Sequence, residues 1–469
     1  MGAGIGVGWL ANASSSKTLT LLQDRDQFGG WTGKKFKATG FFRLERDAKR
    51  WWLVTPEGNV FLIHGIDHAD APKIARTYNK EYWNRELGLS KETSKEQRLH
   101  AFYKKKIAAD RKYLGFNCLY SHSAPIGMNV CPYIPRANTL DIEYWRTWHK
   151  GFSEENFQDV FSDDFLARCK QTARKIVLSG RHKDPWVLGH ALTDSPVLTV
   201  QMAMPHHAGF FHKPLPGTTT WPVRLRNLGS GSPGKESYVR LMKKRYQNEI
   251  QNFNDTYNTD FESWDTLVAT ENWRVRTDPT GNMHEEKDNQ AFLLQILDKA
   301  WGTQVSAIQE HDPNHLIIGD TLNLNTPLSD DVIMLYSKHF PIITYQYYGA
   351  TWEDHQRILD RLRKIAGDIP VFSADSSWSV KDEPRMPDTL GPQCANYMIA
   401  AQRMKEVYHA AFARPEFIGW GWCGWMDQWE SAEPIMQHAG LQDAFGKWHQ
   451  PLAQSLSEFG RNMYNIAQL

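Results

Sequence analysis

No apolar run in this 469-residue chain reaches ten residues, so no segment is long enough to cross a bilayer as a helix. An excess of one charge is missing too. Lys and Arg number 54 against 53 Asp and Glu, a net charge of +1, so neither nucleic acid nor a membrane surface is an expected partner. Five cysteines (118, 131, 169, 394, 423) lie far apart with no C-x-x-C, which argues against a zinc knuckle or a disulfide framework. The opening stretch MGAGIGVGWLANASSSK lacks the basic n-region and long apolar core of a secretory signal. Its glycines also lack the G-x-G-x-x-G spacing and preceding strand of a dinucleotide site. GSGSPGK (229–235) begins like a phosphate loop, but Glu236 stands where Ser or Thr must hold magnesium, and it reads as a flexible loop.

Aromatic residues are plentiful: 19 Trp, 17 Tyr and 22 Phe. Core filling accounts for most rings in any chain, yet many here lie beside polar residues at predicted strand ends, where flat faces suit the C–H faces of sugars. The strand signals are eight short apolar stretches: VFLIHGI (60–66), FNCLYS (116–121), NVCPYI (129–134), WVLGHAL (186–192), HLIIGD (315–320), PIITYQY (341–347), IPVFSAD (369–375) and FIGWGWCGW (417–425). Helix-like segments at 93–114, 164–180, 287–310, 353–367 and 393–413 separate several of them. Continuous apolar strands alternating with helices predict an α/β protein with a covered parallel sheet, and eight such units predict a (β/α)8 TIM barrel. Upstream, GFFRLERDAKRWWLVTPEGNVF (40–61) predicts an N-terminal β-hairpin segment with a turn at Pro56-Glu57-Gly58, after an extension over 1–39. The barrel then occupies 40–469, with an insertion around 196–285. KPLPGTTTWPVRLRNLGSGSPGK predicts a large loop there, over one barrel face.

Barrel chemistry gathers at the C-terminal ends of the strands. Those ends supply His64, Asp67 and His68 from the first strand, and Asn117, Ser121 and His122 from the second. Asp194 ends the fourth; Asp320, Asn323 and Asn325 follow the fifth. Tyr345, Gln346, Tyr347 and Tyr348 come from the sixth, Asp375, Ser376 and Trp378 from the seventh, and Trp420, Trp422, Trp425, Asp427 and Gln428 from the eighth. Two carboxylates on facing strands are what glycoside hydrolysis needs, one to protonate the leaving oxygen and one to attack, stabilise or activate water. Asp194 and Asp375 are the best-placed pair. The competing reading makes each a cap or turn aspartate, Asp194 standing two residues before Pro196.

The order of these motifs resembles the beta-agarase branch (family 50-like) of the clan A barrel glycosidases. GFFRLERDAKRWWLVTPEGNVF, GFNCLYSHS, HLIIGD, FIGWGWCGWMDQW and GLQDAFGKWHQPL carry the likeness over about residues 40–460. It implies a glycoside hydrolase acting on a poly- or oligosaccharide red-algal galactan of the agar, porphyran or carrageenan type, sulfated or not. The basic stretch 221–245 (Arg224, Arg226, Lys235, Arg240, Lys243, Lys244) reads either as a contact for sulfate groups or, the plainer reading, as a solvated helix face. The resemblance implies that Asp375 is nucleophile or base and that Asp194 donates the proton. The family's strand-four Asn-Glu aligns here with Asp194-Ser195, and its strand-seven Glu with Asp375. Substrate is expected to meet His64, Asp67, His68, Asn117, His122, Asp320, Asn323, Gln346, Tyr348, Trp378, Trp420 and Trp422.

Two alternatives stand beside this reading. The missing Glu suits a catalytically inactive carbohydrate-binding barrel. His64-x-x-Asp67-His68 with His122 suggests a metal-dependent hydrolase, but that chemistry wants His-x-His on strand one, His on strands five and six and Asp on strand eight. Hence no metal and no cofactor are expected. His206, His207 and His212 fall in the insertion as solvated loop residues or a closing flap.

Asp is one methylene shorter than Glu, so two aspartates on an unchanged barrel stand farther apart. Retaining enzymes use about 5–5.5 Å and inverting ones about 6.5–9.5 Å with water between. The sequence therefore predicts inversion. NMR of the first-formed anomer checks this, and net retention would contradict it.

Overall fold

The computed structural model describes residues 24–120, 122–123, 128–140, 142, 156–201, 203–205, 212–214, 219–275, 283–382, 391–429 and 440–468. Strands β1 (Trp31–Lys35), β2 (Arg43–Arg46), β3 (Trp51–Val54) and β4 (Asn59–Phe61) form an antiparallel sheet in the order β1-β4-β3-β2. β1 comes from the stretch expected as an extension and pairs with β4. The turn between β3 and β4 needs a glycine. Gly58 has φ +92°, and a Cβ there would lie 2.4 Å from the Phe36 carbonyl oxygen.

VFLIHGI, expected as one strand, is divided between two sheets. β4 stops at Phe61, and β5 (Ile63–Ile66) starts the parallel sheet. The break is at Leu62, whose N–H donates to the Tyr464 hydroxyl at 3.2 Å and whose carbonyl accepts from Asn117 Nδ2 at 2.8 Å.

β5 is followed by β6 (Cys118–Leu119), β7 (Gly189–Asp194), a short pair β8 (Ala203–Pro205) and β9 (His212–Pro214), then β10 (Leu316–Asn323), β11 (Ile343–Gln346), β12 (Val371–Ser376) and β13 (Phe417–Trp422). Seven of these make a curled parallel sheet in the order β6-β5-β13-β12-β11-β10-β7. The first and last strands in sequence are therefore neighbours, β13 pairing with β5. The glycines of FIGWGW permit close strand approach: a Cβ on Gly421 would stand 2.1 Å from the Ala374 carbonyl oxygen of β12.

The expected third strand, NVCPYI, contributes bridges rather than a full strand. Tyr133 bridges in parallel to Leu119 and to Val187, and Arg136 to Ala191. Pro132 and Pro135 have no N–H to give a ladder, so they only accept, from Leu119 and Ala191.

The predicted helices are present at Asp163–Leu178, Met283–His311, Trp352–Ala366 and Tyr397–Phe412. The 93–114 segment is three pieces, Lys95–Ala101 and Ala108–Leu114 around a π-helical stretch Phe102–Ile107. In that stretch the buried Lys106 ammonium donates to Asp110 and Gln442 at 2.7 and 2.6 Å.

The insertion differs from the loop expected. Helices Trp221–Arg226, Pro233–Arg245, Ile250–Tyr257 and Trp264–Ala269 enclose a core of Phe253, Tyr257, Trp264 and Trp273. The flexible-loop reading of GSGSPGK is corrected likewise, since Pro233 starts a helix and Lys235 is buried on the carbonyls of Arg226 and Thr270. Arg226 is also unavailable to sulfate, because it is buried against Glu285 at 2.6 Å. His206 and His207 lie outside the described residues, as does the side chain of His212.

Arg50 joins the antiparallel sheet to the helices that cover the parallel one. Its guanidinium is buried and donates to the carbonyls of Phe412, Ala467 and Phe417 at 2.8, 2.9 and 2.5 Å. Arg50→Met should orphan these acceptors and destabilise the protein by roughly 3–5 kcal/mol. Urea denaturation reads it as a lowered midpoint, and an unchanged midpoint would refute the assignment.

Candidate active site

The C-terminal ends of the parallel strands bring a set of charged groups around His122. Asp194, the last residue of β7, lies 2.8 Å through Oδ2 from His122 Nε2 and 3.3 Å from the Arg136 guanidinium. Asp67 follows β5, and its Oδ1 accepts the backbone N–H groups of His68 and His122 at 2.9 and 2.7 Å. His68, which adopts a left-handed backbone with φ 58°, stacks on His122 with ring centroids 4.4 Å apart. One ligand-type atom from each of Asp67, His68, His122 and Asp375 lies within 4.8 Å of the others, so His122 neighbours Asp375 as well as Asp194. Asp375 sits on β12, where its Oδ2 accepts from the Tyr348 hydroxyl at 3.1 Å, and that hydroxyl also lies 3.2 Å from Cys423 Sγ. Ser195 is the second strained residue of the rim, with φ 43°, and its Oγ lies 2.7 Å from Gln346 Oε1 and 3.3 Å from Asp194 Oδ1.

Asp67, Asp194 and Asp375 are all buried, and burial raises the proton affinity of any carboxylate. Asp375 keeps that rise, with the Asp194 charge adding to it against the opposing pull of His122. Asp67 is raised by burial and by Asp375. At Asp194 the outcome reverses: His122 and Arg136 together outweigh burial and hold it below the ordinary carboxylate range. Burial and Arg136 oppose protonation of His122, but Asp67 and Asp194 prevail and raise it to about 9. The two aspartates thus differ in proton affinity, with Asp375 the weaker acid, the opposite order from the expected donor at Asp194.

Several residues expected at the substrate lie elsewhere. His64 is buried beneath the helices, edge-on to Tyr408 and Phe459, and burial lowers it to about 4. Asn117 ties two backbone segments, accepting from His64 N and donating to the Leu62 carbonyl. Asp320 is buried, accepting from Thr193 N at 2.8 Å and from the Trp301 indole at 2.7 Å. Trp378 and Trp420 stack on each other at 5.8 Å, fully buried, with indole N–H groups on the carbonyls of Ala350 and Ser376. Neither offers a sugar a free face. Trp422 is equally buried, and its indole nitrogen has no hydrogen-bond partner. Asn323 acts one step back: it accepts from Asn325, whose amide oxygen accepts the Tyr348 N–H. Asp427 is engaged by His449 at 2.7 Å and by Gly440 N. Ser121 lies outside the described residues.

Asp67, His68, His122, Gln346 and Tyr348 do meet around the two catalytic candidates. Sequence reasoning missed Arg136 and Cys423. Arg136 follows the third stretch by two residues, so the strand-end rule applied to YIPR would have found it. Cys423 carried no signal beyond its place in WGWCGW.

The fold is similar to that of solved agarases. The chain superposes on the crystal structure of the agarase AgWH50C with a TM-score of 0.74 over 95% of its length and 68% of that chain, at 16% identity. An exo-beta-agarase gives 0.73 over 95% and 68%, at 17% identity. In sequence the chain is similar to beta-agarase B of Vibrio sp. (strain JT0107), 19% identical over 521 aligned positions that cover 96% of this chain and 51% of the relative. Beta-agarase A of the same strain is 24% identical over 203 positions, 42% of this chain and 19% of the relative. The chain thus spans about half the length of the first of these relatives, and less of the second. No family model matches it.

The His122–Asp194 pair is directly measurable. With a raised His122, the ion pair persists below pH 9 and is lost as pH rises through about 9. NMR titration of the ring should show this value, and Asp194→Asn should bring it down toward the ordinary histidine range. An unchanged titration would refute the pairing.

Proposed function

We propose that this chain is a glycoside hydrolase that cleaves an agar-type galactan, with Asp194 and Asp375 as its carboxylate pair. The observation that carries the reading is two buried carboxylates of unequal proton affinity, at the ends of β7 and β12, on a sheet with the agarase fold. Such inequality is how one site supplies both an acid and a base. The electrostatics favour Asp375 as the group that carries the proton and Asp194 as the permanently charged partner, the reverse of the roles the motif likeness implies. Tyr348 and Cys423 would hold Asp375, and His122 and Arg136 would hold Asp194. We further read the parallel sheet as a closed (β/α)8 barrel, a reading supported by the bridges of Tyr133 to both Leu119 and Val187. Porphyran and carrageenan remain in the substrate class alongside agar.

A binding-only barrel is the second reading. Ser195, which stands where the aligned acid would be, and the double ion pair that locks Asp194 favour it. One assay separates the two: reducing sugar released from a panel of red-algal galactans. The hydrolase reading expects turnover, reduced about 10²–10⁴-fold in Asp194→Asn and in Asp375→Asn. Saturable binding with no released sugar at high protein loading would overturn it.

A further inference from the structure

We infer that Asp67, His68, His122 and Asp375 form a binding site for one divalent transition-metal ion of the zinc type. This inference goes beyond the hydrolase reading and does not depend on it: with the ion bound, Asp375 holds the metal in place of the proton assigned to it above. The four side chains come from three strand ends, β5, β6 and β12, and one donor atom of each lies within 4.8 Å of the rest. A tetrahedral zinc ion with bonds of about 2.0–2.2 Å spaces its donors roughly 3.3–3.6 Å apart, so side-chain rotations of about 1 Å close the set.

The second observation is that both carboxylates are half satisfied. Asp67 Oδ1 is engaged by two backbone N–H groups and Asp375 Oδ2 by the Tyr348 hydroxyl. The other oxygen of each, Asp67 Oδ2 and Asp375 Oδ1, is buried without a hydrogen-bond partner. Two buried carboxyl oxygens without a hydrogen bond, on residues 0% and 3% exposed, are expensive to leave unsatisfied, and the His122 ring, 3.9 Å from Asp67 Oδ2, is too far to satisfy either. A single cation between them satisfies both at once. The donor set, two imidazoles and two carboxylates with no thiolate, suits zinc, cobalt, nickel or manganese better than copper(I) or calcium.

The surroundings are those of a metal-binding histidine. Asp194 Oδ2 lies 2.8 Å from His122 Nε2, the carboxylate–histidine arrangement that orients an imidazole toward a metal. His122 must give up its proton to serve as a ligand, and one group opposes the ion: the Arg136 guanidinium lies 2.6 Å from His122 Nδ1 and 2.8 Å from Nε2. It must swing aside, and its partly exposed side chain, 20% accessible, has solvent on one side to receive it. A second trio, His190, Asp312 and His315, also brings its donors together. There Asp312 Oδ2 already meets His190 at 2.7 Å and both its oxygens meet His315 at 2.9 Å, so that trio leaves no open carboxylate oxygen for an ion.

The test uses the full chain, stripped with chelator and titrated with zinc by calorimetry, with bound metal counted after dialysis. The inference expects one ion per chain in the wild type. Affinity should fall about tenfold or more in Asp67→Asn and in His68→Gln, and be unchanged in His190→Gln. Near-UV circular dichroism identifies a variant that fails to fold; the other then carries the comparison. No zinc binding by the wild type, binding that survives both substitutions, or binding lost in His190→Gln would each overturn the site. Sugar release from galactans by the chelator-stripped protein is a separate readout, so a chain that binds zinc but releases no sugar when metal-free sinks the hydrolase reading alone.

Discussion

Three carboxylates buried around a single imidazole repel one another, and the rim is built to contain that repulsion. Asp194 takes the two cations, His122 and Arg136. Asp67 and Asp375 receive hydrogen bonds from neutral donors on one oxygen each, and His122 reaches the other Asp67 oxygen only at 3.9 Å. Unequal compensation is what separates the proton affinities of otherwise identical side chains. The pieces that achieve it come from strand ends far apart in sequence, so curling the sheet until β13 meets β5 is the precondition for any chemistry here.

Much of the architecture was legible because continuous apolar strands and amphipathic helices leave periodic traces. Seven of the eight apolar stretches contain a strand of the parallel sheet. The third was legible as a position but not as a ladder, because its prolines remove donors while leaving acceptors. VFLIHGI hid its division at Leu62, since apolarity continues through a change of sheet that depends on Tyr464, about 400 positions away. The insertion was misread for another reason. Its Pro, Gly and Ser mark helix starts and turns between short helices, and the aromatic core that supports those helices is assembled only in three dimensions.

The rim was half legible, and parity explains which half. Along a strand, successive side chains point to opposite faces. His64 packs under the helices, whereas Asp67, three residues on, faces the centre. Trp420 is held by Tyr408 outside the sheet, whereas Cys423 reaches Tyr348. Asp320 bonds to the Trp301 helix, whereas its neighbour Thr321 meets Tyr120. Collecting every polar or aromatic residue at a strand end gathers both faces together. Without the strand's rotation, the sequence cannot sort them.

The helix Met283–His311 joins the two main bodies of the chain. Its 29 residues span about 43 Å. Near its start Glu285 and Asp288 anchor the inserted helices through Arg226, Arg274, Arg245, Tyr246 and Tyr257. Further along, Trp301 grips Asp320 on β10. One uninterrupted rod therefore anchors the inserted helices at one end and the parallel sheet at the other. A chimera that exchanged the insertion alone would sever its mortise, so any portable module must carry the first turns of that rod with it.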